Sequence, residues 1–185
     1  LADVDLRERI QLQPEVYATG IATIAGQDEA LQFTRREERV QRFNTDSLIL
    51  ESEVQLLSEV NGACALSADQ LAVSTSDGDV LVLSTTSLAV TTTIAPQLTG
   101  DRLPPLADLE CVDDAIWGII QGTSVVVEFD QTTAEVTSIT DLSGLTPAGL
   151  ASTDVLSGLA YRESSETWFV TGKRWDVLYE ITLGS

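Results

Sequence analysis

The sequence predicts an all-β fold, and two observations favour a β-propeller within that class. Helical periodicity is nearly absent, and short segments rich in Val, Ile, Leu and Thr alternate with turns rich in Gly, Asp, Asn and Ser. A longer repeat runs above the strands, at the roughly 40 to 50 residues that a four-stranded propeller blade occupies. A β-sandwich is the alternative, but its strands recur every 8 to 12 residues or so without a longer period.

The middle of the chain contains the clearest strand patterns. Turn residues interrupt these apolar runs at 76–79, 130–133 and 162–166. The predicted strands are residues 70–74, 80–84, 89–94, 115–120, 124–129 and 135–139.

The longer repeat consists of four segments in which a small residue opens an apolar strand. From Gly20 to Gly62 is 42 residues, Asp108 follows after another 46, and Gly158 after another 50. The approximate blades are therefore 13–56, 57–100, 101–150 and 151–185, in one propeller domain. Residues 1–12 are interpreted as the closing hairpin of an earlier blade whose inner strands are missing from this chain.

The charge balance excludes several classes of function. The chain carries 10 basic and 29 acidic residues, a net charge of −19, and its pI is near 4.1. Such an acidic protein repels phosphate backbones and anionic lipids, so neither nucleic-acid nor membrane-surface binding is predicted. The acidity is attributed mainly to solubility, with a cationic partner or a bound divalent cation as the alternative. No apolar run is long enough for a transmembrane helix.

Histidine is absent, which excludes nucleophilic catalysis with a histidine base and histidine-ligated zinc. Asp77 and Asp79 offer oxygen ligands suited to calcium, but a simple hairpin turn is favoured, and no metal or cofactor is predicted. Cys64 and Cys111 fit either one disulfide of an exported protein or two buried thiols.

The C-terminal segment, residues 153–181, carries a family resemblance. It ends in a Thr-Gly-Lys-Arg-Trp loop that contains Lys173, the only lysine. This segment, with residues 109–113 and 141–145, resembles the plant-type (bacterial and plant) glutaminyl cyclases, and the resemblance extends over about 4–183. It implies a five-bladed β-propeller of the glutaminyl cyclase type, with the first blade largely missing from this chain.

The resemblance implies a reaction in which an N-terminal glutamine cyclises to pyroglutamate and releases ammonia. This chemistry needs a carboxylate for proton transfer, donors for the developing oxyanion and a cage that holds the side chain folded. In the family, as the resemblance implies, a Phe-Gly-Glu-Gly turn supplies the glutamate. An Asn-Glu-Leu-Glu segment, the loop lysine and several tryptophans complete the site at one mouth of the propeller.

Most of those positions differ here. The glutamate position is Thr19, whose hydroxyl cannot replace a carboxylate base, and the asparagine position is Ala107. Lys173 is retained, with Trp175 beside it. Three positions where the family has tryptophans, or a Trp-Gly pair, fall at Arg35, Asn61 and Gln121.

The predicted function is therefore a catalytically degenerate cyclase-like propeller, an exported or cell-envelope module that binds a protein partner or a peptide N-terminus. The alternative is a glutaminyl-peptide cyclotransferase in which Asp108 or Glu110 replaces the lost base. A third option is a ligand- or peptide-binding propeller with an open pocket that contains Lys173 but no base. No catalytic residue is confirmed. The candidate ligand-binding residues are Arg35, Asn61, Asp108, Gln121, Lys173 and Trp175.

Each candidate also has a purely structural interpretation. Lys173 could bind a ligand or only backbone carbonyls of the last blade, and the sequence does not separate the two. Trp175 and Trp168 are interpreted mainly as packing aromatics, because one face of each strand is buried. The arginines at 35, 36, 39 and 42 are expected to pair with Glu37 and Glu38 across a hairpin.

Overall fold

The structure, a computed structural model, describes residues 12, 14, 16–24, 26–56 and 58–183. Within them the chain forms four antiparallel blade sheets, three of four strands and one of three, each with its strands in sequence order. The fold is therefore an all-β propeller. Among the described residues no helix is long and apolar enough to cross a membrane.

The strands of each blade run outward from the innermost strand. Blade 1 contains β1 (Ala18–Thr23), β2 (Glu29–Thr34), β3 (Arg39–Asn44) and β4 (Leu50–Gln55). Blade 2 contains β5 (Val60–Ala65), β6 (Gln70–Thr75), β7 (Val80–Ser84) and β8 (Val90–Ile94). A hairpin of β9 (Gln97–Leu98) and β10 (Asp101–Arg102) precedes blade 3. Blade 3 contains β11 (Leu106–Val112), β12 (Ala115–Ile120), β13 (Val125–Asp130) and β14 (Val136–Asp141). Blade 4 contains β15 (Leu156–Arg162), β16 (Thr167–Gly172) and β17 (Tyr179–Ile181).

The predicted number of blades requires correction. The sequence predicts a five-bladed ring with most of the first blade missing, whereas the described residues form four blades. The segment interpreted as the end of an earlier blade, 1–12, lies outside the described residues except for Leu12.

The outermost strand is the most exposed strand of each four-stranded blade. In blade 2, β5 and β6 are almost wholly buried, whereas four of the five residues of the outermost strand, β8, are exposed. All six residues of β4 are exposed. The sequence of β5 is therefore a run of mostly small and apolar residues, because neighbouring blades cover both of its faces.

The innermost strands pack side by side, β1 on β5, β5 on β11 and β11 on β15. The closest approach is at Gly62, where an added Cβ would lie 2.5 Å from the Cα of Asp108. A side chain at Gly62 would therefore force the two backbones apart.

Apolar side chains fill the space between consecutive blades in three clusters. The cluster between blades 3 and 4 contains Trp117 and Trp168, whose ring centroids are 4.7 Å apart. Between blades 2 and 3, Cys64 on β5 and Cys111 on β11 form a disulfide. The two cysteines thus link neighbouring blades covalently.

Candidate functional site

A pocket of about 420 Å³ lies where the inner strands begin, and we call it the mouth pocket. It brings together residues from blades 1 to 4, and the most distant of them in the sequence, Tyr17 and Lys173, are 156 positions apart. Six of its lining residues are family positions singled out from the sequence: Thr19, Arg35, Asn61, Ala107, Gln121 and Lys173.

The first set of lining residues comes from β-bulges near the start of each inner strand. The register of each inner strand with its neighbour shifts at this point, after Ala18, Val60, Leu106 and Leu156. A bulge re-aims a side chain that would otherwise follow the alternation of the strand. The residues at these bulges that line the pocket are Thr19, Asn61, Ala107 and Ser157.

The second set follows the end of the second strand in each blade. Arg35, Gln121 and Lys173 occupy this position in blades 1, 3 and 4 and line the pocket, and Ser76 is their counterpart in blade 2. The backbone N–H of each bonds to a carbonyl just before the inner strand of its own blade. The donor–acceptor pairs are Arg35 to Tyr17, Ser76 to Glu59, Gln121 to Pro105 and Lys173 to Val155. The fold thus repeats one local geometry in each blade, and the side chains at its two positions decide the chemistry.

Ser157 also lines the mouth pocket, although it is not among the candidate residues identified from the sequence. It stands in its blade where Thr19, Asn61 and Ala107 stand in theirs. The phase of the sequence repeat could have identified it, since each repeat begins at the bulge residue.

Thr19 is not available for proton transfer. Its hydroxyl donates a hydrogen bond to the carbonyl of Val60, with an O–O distance of 2.6 Å. This contact joins β1 to β5, so the hydroxyl fastens two blades together. No Asp or Glu is among the residues that line the mouth pocket in the described part of the chain.

Asn61 is buried in the pocket wall, with 4% of its surface exposed. Its Oδ1 lies 3.4 Å from the Ser76 hydroxyl, which also lies 3.1 Å from a carboxylate oxygen of Glu59 and can donate to only one of them at a time. Its Nδ2 has no hydrogen-bond partner within the described residues. A buried donor without an acceptor costs folding free energy, so an acceptor that reached this amide would be bound favourably.

Arg35 forms an ion pair with Glu59, in which Nε lies 3.2 Å from Oε2. Glu59 precedes β5 and is not a lining residue, so it holds the guanidinium from outside the pocket. The predicted pairing of the neighbouring arginines with Glu37 and Glu38 is wrong for Arg39 and Arg42. Arg39 pairs with Glu53 and Arg42 with Glu29, both on strands next to β3.

Asp108 and Glu110 do not line the mouth pocket; they lie between blades 3 and 4. Asp108 accepts the backbone N–H of Leu159 at 2.9 Å, and Glu110 accepts a backbone hydrogen bond from Tyr161. Burial raises the pKa of Asp108 to about 6, although its backbone hydrogen bonds lower it. Burial, followed by the charge of Asp108, raises the pKa of Glu110 to about 7.

Trp175, another candidate ligand-binding residue, also lies outside the pocket lining. Its indole N–H donates to the carbonyl of Asp154 at 2.8 Å, and its ring covers Gly172, where an added Cβ would lie 2.3 Å from it. The ring also meets Tyr179 edge-on, with centroids 6.2 Å apart. Trp175 therefore packs the loop that carries Lys173.

The turn at Asp77 and Asp79 has a structural role in blade 2. Asp79 forms an ion pair with Arg102 of the following hairpin. Within the ranges that the structure describes, no group of acidic or cysteine side chains is placed to hold a metal ion.

Comparisons with known proteins place this geometry in a family. The family model described as "Glutamine cyclotransferase" matches residues 1–183. A search of curated proteins found no significant match.

Several solved structures are similar to this chain in fold. The crystal structure of Myxococcus xanthus glutaminyl cyclase has a TM-score of 0.81 at 24% identity, over 91% of this chain and 73% of that one. Kuenenia stuttgartiensis hydrazine synthase has a TM-score of 0.57 at 9% identity, over 87% and 44%. The β-propeller domain of Myceliophteria thermophila Cps50 (Swd1) has a TM-score of 0.59 at 13% identity, over 84% and 49%.

Proposed function

The chain belongs to the glutamine cyclotransferase family, and we propose that it is a catalytically degenerate member that binds a ligand at the mouth pocket without cyclising it. The observation that carries this proposal is the set of side chains lining the pocket. Arg35 and Lys173 are its charged residues and Asn61 and Gln121 its amides, while no carboxylate is among the lining residues that the structure describes.

Cyclisation needs a group that takes the proton from the attacking amine and passes it to ammonia. At the position of the family's glutamate, the hydroxyl of Thr19 donates to a backbone carbonyl and has no tendency to ionise near neutral pH. Loss of a general base typically costs about a hundred- to ten-thousand-fold in rate. The pocket can still hold a ligand, because amides and cations line it at strand ends and β-bulges.

The ligand that we propose is the end of a peptide or of a protein partner, so that the propeller acts as an interaction module. A pocket of about 420 Å³ accepts one or two residues of a chain. An exported or cell-envelope location accompanies this proposal, since the disulfide between Cys64 and Cys111 is compatible with an oxidising compartment.

The alternative, an active glutaminyl-peptide cyclotransferase, would depend on Asp108 or Glu110. Their raised pKa values, about 6 and about 7, suit a base near neutral pH. However, both carboxylates accept backbone hydrogen bonds from β15 and neither lines the mouth pocket. Their positions therefore favour binding over catalysis.

Ammonia release from a Gln-initiated dipeptide amide tests the proposal directly. We expect the purified protein to release ammonia no faster than buffer, and the Lys173→Ala variant to behave identically. Turnover by the wild type that Lys173→Ala abolishes would contradict the proposal and assign the cyclase reaction to this pocket. Glu110→Gln, assayed in parallel, would then show whether that carboxylate transfers the proton.

A further inference from the structure

The mouth pocket has a charge opposite to that of the protein around it. The chain has 29 acidic and 10 basic residues, yet the charged side chains that line the pocket are two cations, Arg35 and Lys173. Glu59 neutralises part of the Arg35 charge from outside the lining. Lys173 has no ion-pair partner among the residues that the structure describes. The pocket therefore presents unneutralised positive charge in a strongly acidic molecule.

Residues of the same wall also have hydrogen-bond donors without acceptors. Asn61 Nδ2 is buried and unpaired within the described residues. In the same residues the Arg35 guanidinium donates to Glu59 through Nε. An ammonium has three donors and no acceptor, and a guanidinium has five donors and no acceptor. A ligand that satisfies this set brings oxygen acceptors, and negative charge on those oxygens adds attraction to the two cations.

From these two observations we propose that the mouth pocket recognises a carboxylate, and that the ligand enters with this group between Lys173, Arg35 and Asn61. This inference rests on the proposed function, since it names the class of ligand that the non-catalytic pocket holds. Arg35, which stands where the family has a tryptophan, adds a cation to the pocket, and its charge would repel the cationic amine of an N-terminal glutamine peptide. A carboxylate is compact enough for the pocket and can accept several donors at once.

The carboxylate can come from an acidic side chain at a peptide N-terminus or from the C-terminus of a peptide. Both sources offer the same chemistry, and matched ligands separate them. The first pair is Glu-Ala amide and Gln-Ala amide, which differ in one carboxylate. The second pair is Ala-Ala-Ala with a free C-terminus and its C-terminal amide. Inorganic phosphate serves as a third probe, since it is an anion of different shape.

Isothermal titration calorimetry at about 0.15 M salt, where charges beyond about 8 Å are screened, measures the affinities. We expect one carboxylate ligand to bind at least tenfold more tightly than its amide. Lys173→Met and Arg35→Met should each remove most of that preference, and Arg35→Lys should restore part of it. Arg102→Met removes the same unit of charge outside the pocket and should leave the preference within twofold of the wild type. Circular dichroism confirms that each variant folds.

Three binding outcomes would overturn the inference, besides an absence of all binding. They are equal affinities within each ligand pair, a preference that Arg102→Met reduces as much as Lys173→Met does, and tighter binding of phosphate than of any carboxylate. Absence of binding by all ligands would overturn it as well. These outcomes are distinct from failure of the proposed function, which would appear as ammonia release from the glutamine dipeptide whatever the ligand preference.

Discussion

The two junctions made by β11 use opposite means to hold the blades together. Towards blade 2, Cys111 forms a disulfide with Cys64, and the backbone at Asp108 lies against Gly62. Towards blade 4, the carboxylates of Asp108 and Glu110 accept backbone N–H groups of β15. One junction is covalent and closely packed, whereas the other adds partly buried titratable groups to its apolar packing.

The alternation of a β-strand explains how one strand serves both junctions. Leu109 and Cys111 belong to the apolar cluster shared with blade 2, whereas the carboxylates at the even positions bond to blade 4. The contribution of the first junction to the free energy of unfolding should therefore be insensitive to pH. The contribution of the second junction should change with pH. Three changes test this difference.

The largest expected effect is loss of the disulfide. It closes a loop of 47 residues, for which the chain-entropy model gives a stabilisation of about 4 kcal/mol. The double variant Cys64→Ala/Cys111→Ala should lose about this much unfolding free energy in urea denaturation. The loss should be equal at pH 5 and pH 8, and a loss that differs by more than about 1 kcal/mol would break the proposed contrast between the junctions.

Gly62→Ala tests the close packing of the same junction. Its Cβ would meet the Cα of Asp108 at 2.5 Å, so β5 and β11 must separate, at an expected cost of about 3 kcal/mol. Gly144→Ala is the matched control, because a Cβ there meets nothing within 4 Å. Similar melting temperatures for the two variants would show that the inner strands yield easily.

The all-β class was predictable because its signals are local, and the repeat of about 42 to 50 residues added the propeller. Strand alternation and the small residues that open each inner strand are visible in sequence, and the predicted strand at 80–84 agrees with the observed β7 (Val80–Ser84). The positions of Thr19, Asn61 and Ala107 followed from the family resemblance, and the structure brings them together in one pocket. The predicted blade count was wrong, since the described residues form four blades and the resemblance implied five.

The ion-pair and hydrogen-bond partners that lie on neighbouring blades could not be predicted from the sequence. Arg35 pairs with Glu59 rather than with the adjacent Glu37, and Asp108 bonds to Leu159, 51 residues away. Such contacts depend on how neighbouring blades pack, and no local pattern encodes them. For the same reason the sequence left open whether Cys64 and Cys111 pair.

The smallest expected effect is at the junction between blades 3 and 4, and it depends on pH. Burial, with the nearby charge of Asp108, raises the pKa of Glu110 from 4.5 to about 7, and burial raises that of Asp108 from 3.8 to about 6. The unfolded chain therefore loses both protons at lower pH than the folded protein does. Stability from these groups is fully present below about pH 4 and is lost as pH rises through 6 and 7.

Glu110→Gln isolates this contribution, because the amide oxygen can still accept the backbone N–H of Tyr161 while the charge is removed. At pH 8 the variant should be more stable than the wild type by about 1 kcal/mol, after allowance for solvent screening of the partly buried Glu110 carboxylate. At pH 4 the advantage should disappear, since the wild-type carboxyl is then protonated in the folded state. Urea denaturation across pH 4 to 8 measures both curves. A constant difference over this range would mean that Glu110 is solvated at the junction, and the two sides of β11 would then differ in covalent linkage but not in their response to pH.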